Sequence, residues 1–440
     1  VQALRISDNS DEMVVRIVIE TDSPVQPKAF TLDNPPRLVV DLPQTDAAEG
    51  ATATFASATT YTGDPDVLSV RFGIPATDTL RMVVDLNRLV AYQAKPLKTG
   101  TGVEIDILRQ IKEETVESEL MPGVKYTRYV RNFPAGPLVY HTVKFRLDDP
   151  HIRIDLAMGQ DTFSTRERLT DIVARHGAAL GVNGGYFDMT TGAPIDMLIA
   201  GGRMLTKQDR RRGFIGFGPG NKPFFAVPAV SVSVRVGDRP PLTVDRLNRA
   251  PQSGQSAVFT PEFGDSTKTD LMRTEIIVAD GIVQQITAGD SPIPENGFVV
   301  SVDAAFNDAF TNGISPGETA ELIFDSDPPV GVVRAGVTAG PMLVSGGVPL
   351  HQVAEEFTAA SGITTKRHPR TAACATSDGS FIFAAFEGRA INSVGLLIPE
   401  LADVMASFGC VDAINLDGGG STEIVAGGQI LNTLSEGAER

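Results

Sequence analysis

The chain has no tryptophan, only two cysteines and five histidines in 440 residues, and 38 basic side chains against 54 acidic ones. Each shortage removes a class of function. A formal charge of −16 opposes the counterion release that drives nucleic-acid binding, so no nucleic-acid partner is expected. No stretch approaches the roughly 20 apolar residues of a spanning helix, so no transmembrane segment is expected. The residues from Val1 onward read directly as strand; a signal peptide already removed would leave the same start. Cys374 and Cys410 form no CxxC pattern and read as two small buried apolar residues, with a single bridge left open. No HExxH occurs and no histidine has a second within four residues, which leaves a zinc amidase poorly supported. No phosphate-binding GxxxxGK[ST] loop is present. The one GxSxG match, Gly313-Ile314-Ser315-Pro316-Gly317, puts proline where an oxyanion hole needs an N–H and reads as a turn.

What is present divides the chain. Residues 1–110 are β-branched runs broken by turns. Val15, Ile17 and Ile19 alternate with Arg16, Val18 and Glu20, which predicts an antiparallel sheet with one face in a core and an all-β sandwich overall. The stretch Phe30-Thr31-Leu32-Asp33-Asn34-Pro35-Pro36-Arg37-Leu38-Val39-Val40-Asp41-Leu42, with Val70-Arg71-Phe72-Gly73 and Arg81-Met82-Val83-Val84-Asp85 after it, resembles the AMIN domain, an envelope-targeting module. The resemblance implies a periplasmic or secreted protein, its signal peptide removed, that docks on a cell-envelope glycan or peptidoglycan. Residues 111–125, rich in glutamate, read as a linker. Residues 126–440 read as a second domain.

In that second part the order helix, strand, glycine loop occurs twice. Ser164-Thr165-Arg166-Glu167 has the spacing of a capping box, Leu169, Ile172 and Val173 share a helical face, and Gly177 sits where a helix stops. A short strand follows and ends in Asn183-Gly184-Gly185-Tyr186-Phe187-Asp188. Near the other end Pro399 suits a first helical turn, Leu401, Val404, Met405 and Phe408 share a face, and Gly409 terminates it. The strand after it ends in Asn415-Leu416-Asp417-Gly418-Gly419-Gly420-Ser421. The expected fold is a mixed α/β (or α+β) domain, with a β-rich elaboration over 221–335 and a hairpin turning at Asp378-Gly379. Consecutive glycines at strand ends let the backbone approach an anion or a sugar. Lys366-Arg367-His368-Pro369-Arg370-Thr371 is a basic island whose Arg370 has the planar fork suited to phosphate. In a second island, Arg210-Arg211-Arg212, the loop-coating reading is favoured.

These motifs, with Glu387-Gly388-Arg389 and Glu400-Leu401-Ala402, resemble the phosphodiester glycosidase family over roughly residues 150–440. Two departures stand out: Glu387 holds a place where the family usually has Asp, and Glu423 lies where a neutral residue is expected. The resemblance implies cleavage of a sugar C1–O bond to phosphate, whose oxocarbenium-like transition state a single carboxylate can stabilise. Asp417 is the first candidate for that carboxylate; Glu387 and Asp188 are second candidates between which the sequence does not choose. His368, Arg370 and Arg389 are expected at the phosphate or leaving group. Asn183, Gly184, Gly185, Asn415, Gly418, Gly419, Gly420 and Ser421 are expected to position substrate. Without tryptophan, Tyr186 and Phe187 are the first candidates for stacking on the sugar. No cofactor is expected, although Asp417 and Asn415 could help hold a structural calcium ion. The rival reading is a non-catalytic envelope-glycan-binding protein.

Overall fold

The computed structural model describes residues 3–9, 14–45, 60–76, 78–98, 101–108, 111–161, 163, 165–303, 308–352, 356–357 and 362–440. With 48% of residues in strands and 8% in helices, sheet packing carries the architecture.

The first part is a sandwich. Strands Ala3–Asn9, Val14–Glu20, Gly102–Leu108 and Tyr92–Pro96 form one antiparallel sheet, and Lys28–Asp33, Pro36–Pro43, Thr79–Leu86, Val67–Ala76 and Thr60–Tyr61 form the other. The alternation read from the sequence sets the faces: Val15, Ile17 and Ile19 enter a core with Leu38, Val40, Leu42 and Met82. On the opposite face Arg16 binds Asp106 through two hydrogen bonds of 2.6 and 3.2 Å. Each fully buried aliphatic side chain contributes about 1.5–3 kcal/mol, which supports this unit without a crosslink.

The stretch read as a linker contains a strand. Glu114–Met121 pairs with Val124–Phe133 and forms the edge of an eight-stranded sheet. Its charged residues Glu114, Glu117 and Glu119 are exposed along this edge, where they discourage pairing with another chain. The sheet continues through Gly136–Arg146, Ser380–Phe386, Arg370–Thr376, Cys410–Asn415, Met342–Ser345 and Val348–Pro349, and every pairing within it is antiparallel. The expected mixed α/β core is therefore an antiparallel sheet with little helix. The helices stop after two or three turns, too short to cover a sheet face as crossover connections do. Helix Ile398–Ser407 packs Leu401, Val404 and Met405 against one face, while the other face is buried by a second, five-stranded sheet that contains Phe214–Phe217 and Ala335–Thr338 and supplies Ile215, Phe217 and Val337. The 221–335 region has its own β core built on Val232, Val234, Ile276 and Val300.

Helix Leu169–Arg175 begins with no side-chain cap at Arg168; Ser164, offered as its cap, lies outside the described residues. Gly177 and Gly409 adopt φ of +58° and +79° just past the two helices, as αL termination requires. Cys374 and Cys410 are not two thiols but a disulfide joining neighbouring strands, with Cα atoms 5.7 Å apart. Among the described residues no helix is long and apolar enough to cross a membrane.

Candidate active site

Strand register gathers the candidates at one end of the eight-stranded sheet. Phe386, the last residue of its strand, pairs with both Tyr140 and Arg370, and Asn415 pairs with Ala372. Glu387 and Asp417, each just beyond its strand, therefore leave the sheet at the end where Arg370 enters it. The short strand Leu180–Val182 delivers Asn183 and Gly184 to the same place: the Asp417 N–H donates to the Gly184 carbonyl at 2.9 Å, and Asn183 Nδ2 donates to the Asp417 carbonyl at 2.7 Å.

Asp417 is half-buried, and its carboxylate accepts the Gly418 N–H at 2.8 Å. Burial raises its pKa, against the Ser421 hydroxyl, the Gly418 N–H and the positive charge of Arg440, which favour the ionised form. The glycines here have separate reasons. Gly419 adopts φ +63°, and a Cβ on it would lie 2.9 Å from Arg389 Nη2. A Cβ on Gly420 would overlap Arg440 Nε and the Glu436 carboxyl group. Two basic side chains thus lie directly on the loop that carries Asp417.

The expected substrate contacts divide into residues that face the loop and residues already engaged. Arg389 belongs to the first group. It is 39% exposed, takes the left-handed φ of +61° that costs a non-glycine residue about 1–2 kcal/mol, and places Nη2 3.0 Å from His368 Nδ1. A guanidinium has no acceptor, so Nδ1 accepts and Nε2 carries the proton of a neutral ring. Burial, then Arg370 and Arg389, push the His368 pKa down, in agreement. Arg370 belongs to the second group. It is 2% exposed and donates to the carbonyls of Leu396, Ile363 and Lys366 at 3.0, 2.7 and 2.9 Å. Burial lowers its pKa to about 10. Its fork clamps the incoming loop, so the phosphate-binding role expected of it has weak geometric support. Arg367, from the same island, makes a bidentate pair with Glu400 at 2.6 Å for both bonds.

Asn183 is engaged as well: its Oδ1 accepts from Thr371 Oγ1 at 2.7 Å and from the Glu423 N–H at 3.1 Å. Asn415, 1% exposed, donates to Tyr186 and Gly340, while its Oδ1 has no hydrogen-bond partner among the described residues. Tyr186 was a stacking candidate, but its ring packs between Phe357 and Arg212 and its hydroxyl donates to Gly340. Arg212 pairs with Asp196 at 2.6 Å rather than coating the surface, as the exposed Arg210 and Arg211 do.

The two second carboxylates now differ. Asp188 is exposed and caps its own turn, accepting the N–H groups of Thr190 and Thr191 at 2.8 Å each. Glu387 is buried, with Oε1 2.9 Å from His141 Nε2 and accepting the Thr433 N–H at 2.8 Å. Burial alone would raise its pKa, but the His141 contact and the Thr433 N–H prevail and lower it. Tyr126 completes this chain at His141 Nδ1, 2.8 Å away.

Four participants escaped the sequence reading. His141 lies 246 positions from Glu387 and carried no motif. Glu436 and Arg440 sit on the glycine loop but come from a stretch with no pattern. Glu423 was noted only as out of place, and burial together with Glu439 pushes its pKa up to about 8. The shift favours its protonated form. A cleft of about 650 Å³ lined by Ile199, Met204, Phe298 and Phe324, among others, lies between the β-rich elaboration and the strands around Ile199 and Met204 and includes none of the candidate residues.

Comparison with known proteins agrees with the motifs. Residues 272–440 match the phosphodiester glycosidase family model, and residues 3–107 match the AMIN domain. The Asn183 motif precedes the first of these matches and joins the site through the fold alone. A hypothetical protein from Synechocystis has a similar fold (TM-score 0.67, 20% identity, covering all of this chain and 78% of that one). So does a protein of Burkholderia pseudomallei K96243 described as exported (TM-score 0.57, 19% identity, covering 98% and 94%). At these identities the likeness is one of fold. A 74-residue segment is 36% identical to the SPbeta prophage-derived uncharacterized protein YomE of Bacillus subtilis (strain 168), covering 17% of this chain and 12% of that protein. The chain thus matches about an eighth of that relative's length.

Proposed function

We propose that the protein is a periplasmic or secreted glycosidase that cleaves a sugar-1-phosphodiester, or a related glycosidic bond, in a cell-envelope glycan. In this reading the catalytic domain begins with the edge strand Glu114–Met121 and runs to residue 440, and residues 1–110 hold it near peptidoglycan. The observation that carries the proposal is one half-buried carboxylate, Asp417, on a glycine loop against which two arginines lie. Asp417 stabilises or traps the oxocarbenium-like carbon, a role that uses its ionised form. A phosphate leaving group needs little protonation, so cationic donors can replace a general acid; Arg389 and the Nε2–H of His368 fill that role. Glu387, fixed by His141, is the better second carboxylate, since Asp188 is spent on its own turn. Asn183, Gly184 and Arg370 act by holding the loops that carry these groups.

The test is to incubate wild type and Asp417→Asn with isolated envelope fractions and with synthetic sugar-1-phosphodiesters, and to identify released sugar by mass spectrometry. Wild type should release sugar, and the variant should be slower by about a hundredfold or more. Saturable glycan binding without release by either protein would instead favour the non-catalytic reading.

A further inference from the structure

The stretch 433–440 runs past the candidate site and touches Glu387, Arg389 and the glycine loop. Thr433 donates its N–H to Glu387, Ser435 Oγ donates to the Gly419 carbonyl at 3.3 Å, and Glu439 accepts from Thr170 N and Oγ1 at 2.9 Å each. Between these anchors Glu436 lays its carboxylate on Gly420. Arg440 grips that carboxylate through Nε–H and Nη2–H at 2.9 and 2.5 Å, and Arg389 Nη1 lies 3.6 Å from it. Arg440 Nη1 also reaches Ser421 Oγ at 3.4 Å, the hydroxyl that supports Asp417.

We infer that Arg389 and Arg440 form the anion subsite of this site and that the Glu436 carboxylate is an internal anion which the phosphate of the substrate displaces. The inference rests on the proposed phosphodiesterase reading for its ligand class. Two forked guanidinium groups over glycines are the geometry that binds a tetrahedral oxyanion. The buried Arg370, bonded to three carbonyls, is less available. A phosphodiester and a carboxylate each carry one negative charge, so their exchange leaves the local balance unchanged. Glu436 is 42% exposed and moves into water at little cost, because an ion pair this open is worth no more than about 1 kcal/mol. Its neighbours Ser435 and Glu439 keep the segment seated while its side chain swings away.

The experiment titrates inorganic phosphate into the full chain at low ionic strength by calorimetry. Glu436→Gln should bind phosphate about three- to fivefold more tightly than wild type. Glu321→Gln removes the same charge from an exposed pair with Arg235 in the elaboration and should bind as wild type does. Arg389→Ala with Arg440→Ala should bind about tenfold more weakly or worse. Equal affinity of wild type and Glu436→Gln, with matching circular dichroism, would overturn the inference, and so would undiminished binding by the double arginine variant. Because the titration reads binding alone, phosphate bound as described with no sugar released would remove the enzymatic reading and leave this subsite standing. Sugar release with unaltered phosphate affinity in the variants would do the reverse.

Discussion

Asn183 and Asp417, 234 positions apart, are joined by a 2.7 Å hydrogen bond from the Asn183 amide to the Asp417 main chain. The same amide accepts from Thr371 and Glu423, so one side chain ties together four segments at the sheet end. Asn183→Ala leaves several of these groups unpaired and should cost about 1–3 kcal/mol in urea unfolding. If sugar is released, kcat should fall with the displaced Asp417 while KM changes little. A large KM effect with wild-type stability would instead restore the direct sugar contact expected from the sequence.

The buried contact of Glu387 with His141 predicts an acid-sensitive fold. The Glu387 pKa lies below its ordinary 4.5 in the folded protein, so the stability it contributes is complete above pH 4.5 and is lost as the pH falls through the depressed value. Glu387→Gln should flatten the thermal-unfolding profile below pH 4.5. Glu387→Ala, which takes the acceptor from the Thr433 N–H and the partner from His141 Nε2, should cost about 1–3 kcal/mol at neutral pH. Parallel acid profiles for wild type and Glu387→Gln would show that the contact contributes nothing through charge.

Glu423 predicts the opposite slope on the other side. Its pKa is raised from 4.5 to about 8 by burial and by the nearby Glu439. Stability from this group is full below pH 4.5 and declines as the pH climbs through about 8, where the proton leaves and two carboxylates face each other. Glu423→Gln should match wild type at pH 5 and melt higher than it at pH 8.5. Equal melting temperatures at pH 8.5 would mean that the pair is relieved by another route.

The parts of this molecule legible in its sequence are those written in short-range chemistry. Alternation at Val15, Ile17 and Ile19, the hairpin turning at Asp378-Gly379, and the glycines after both helices needed only their immediate neighbours, and all took the expected form. Asp417 stood out because a carboxylate followed by three glycines is hard to explain as a turn alone. What stayed hidden depends on pairing over long separations. Arg370 reads as a phosphate clamp until the carbonyls of Ile363, Lys366 and Leu396 are seen around it, and His141 has no signal until Gly136–Arg146 lies beside Ser380–Phe386. The antiparallel sheet was missed for a related reason: helix, strand and glycine loop occur in the same order whether the strands run parallel or antiparallel.

Gly184 and Gly185 are adjacent in one motif and offer a sharp contrast. A Cβ on Gly184 would meet only Val337 at 4.0 Å, an ordinary contact, whereas a Cβ on Gly185 would lie 2.5 Å from the Thr338 carbonyl oxygen and 2.7 Å from Val337. The first neighbour of Gly185 is backbone of a buried strand, Ala335–Thr338, and cannot turn aside as a side-chain tip can. Gly184→Ala should therefore fold with a midpoint within about 0.5 kcal/mol of wild type. Gly185→Ala must push the motif off that strand, at about 1–3 kcal/mol by analogy with overpacked cores. Because Gly184 accepts the Asp417 N–H, the same displacement should shift Asp417 and slow any sugar release. Urea unfolding of the two variants decides the point. Equal destabilisation would mean that Gly185 is retained for something other than its close approach to Thr338.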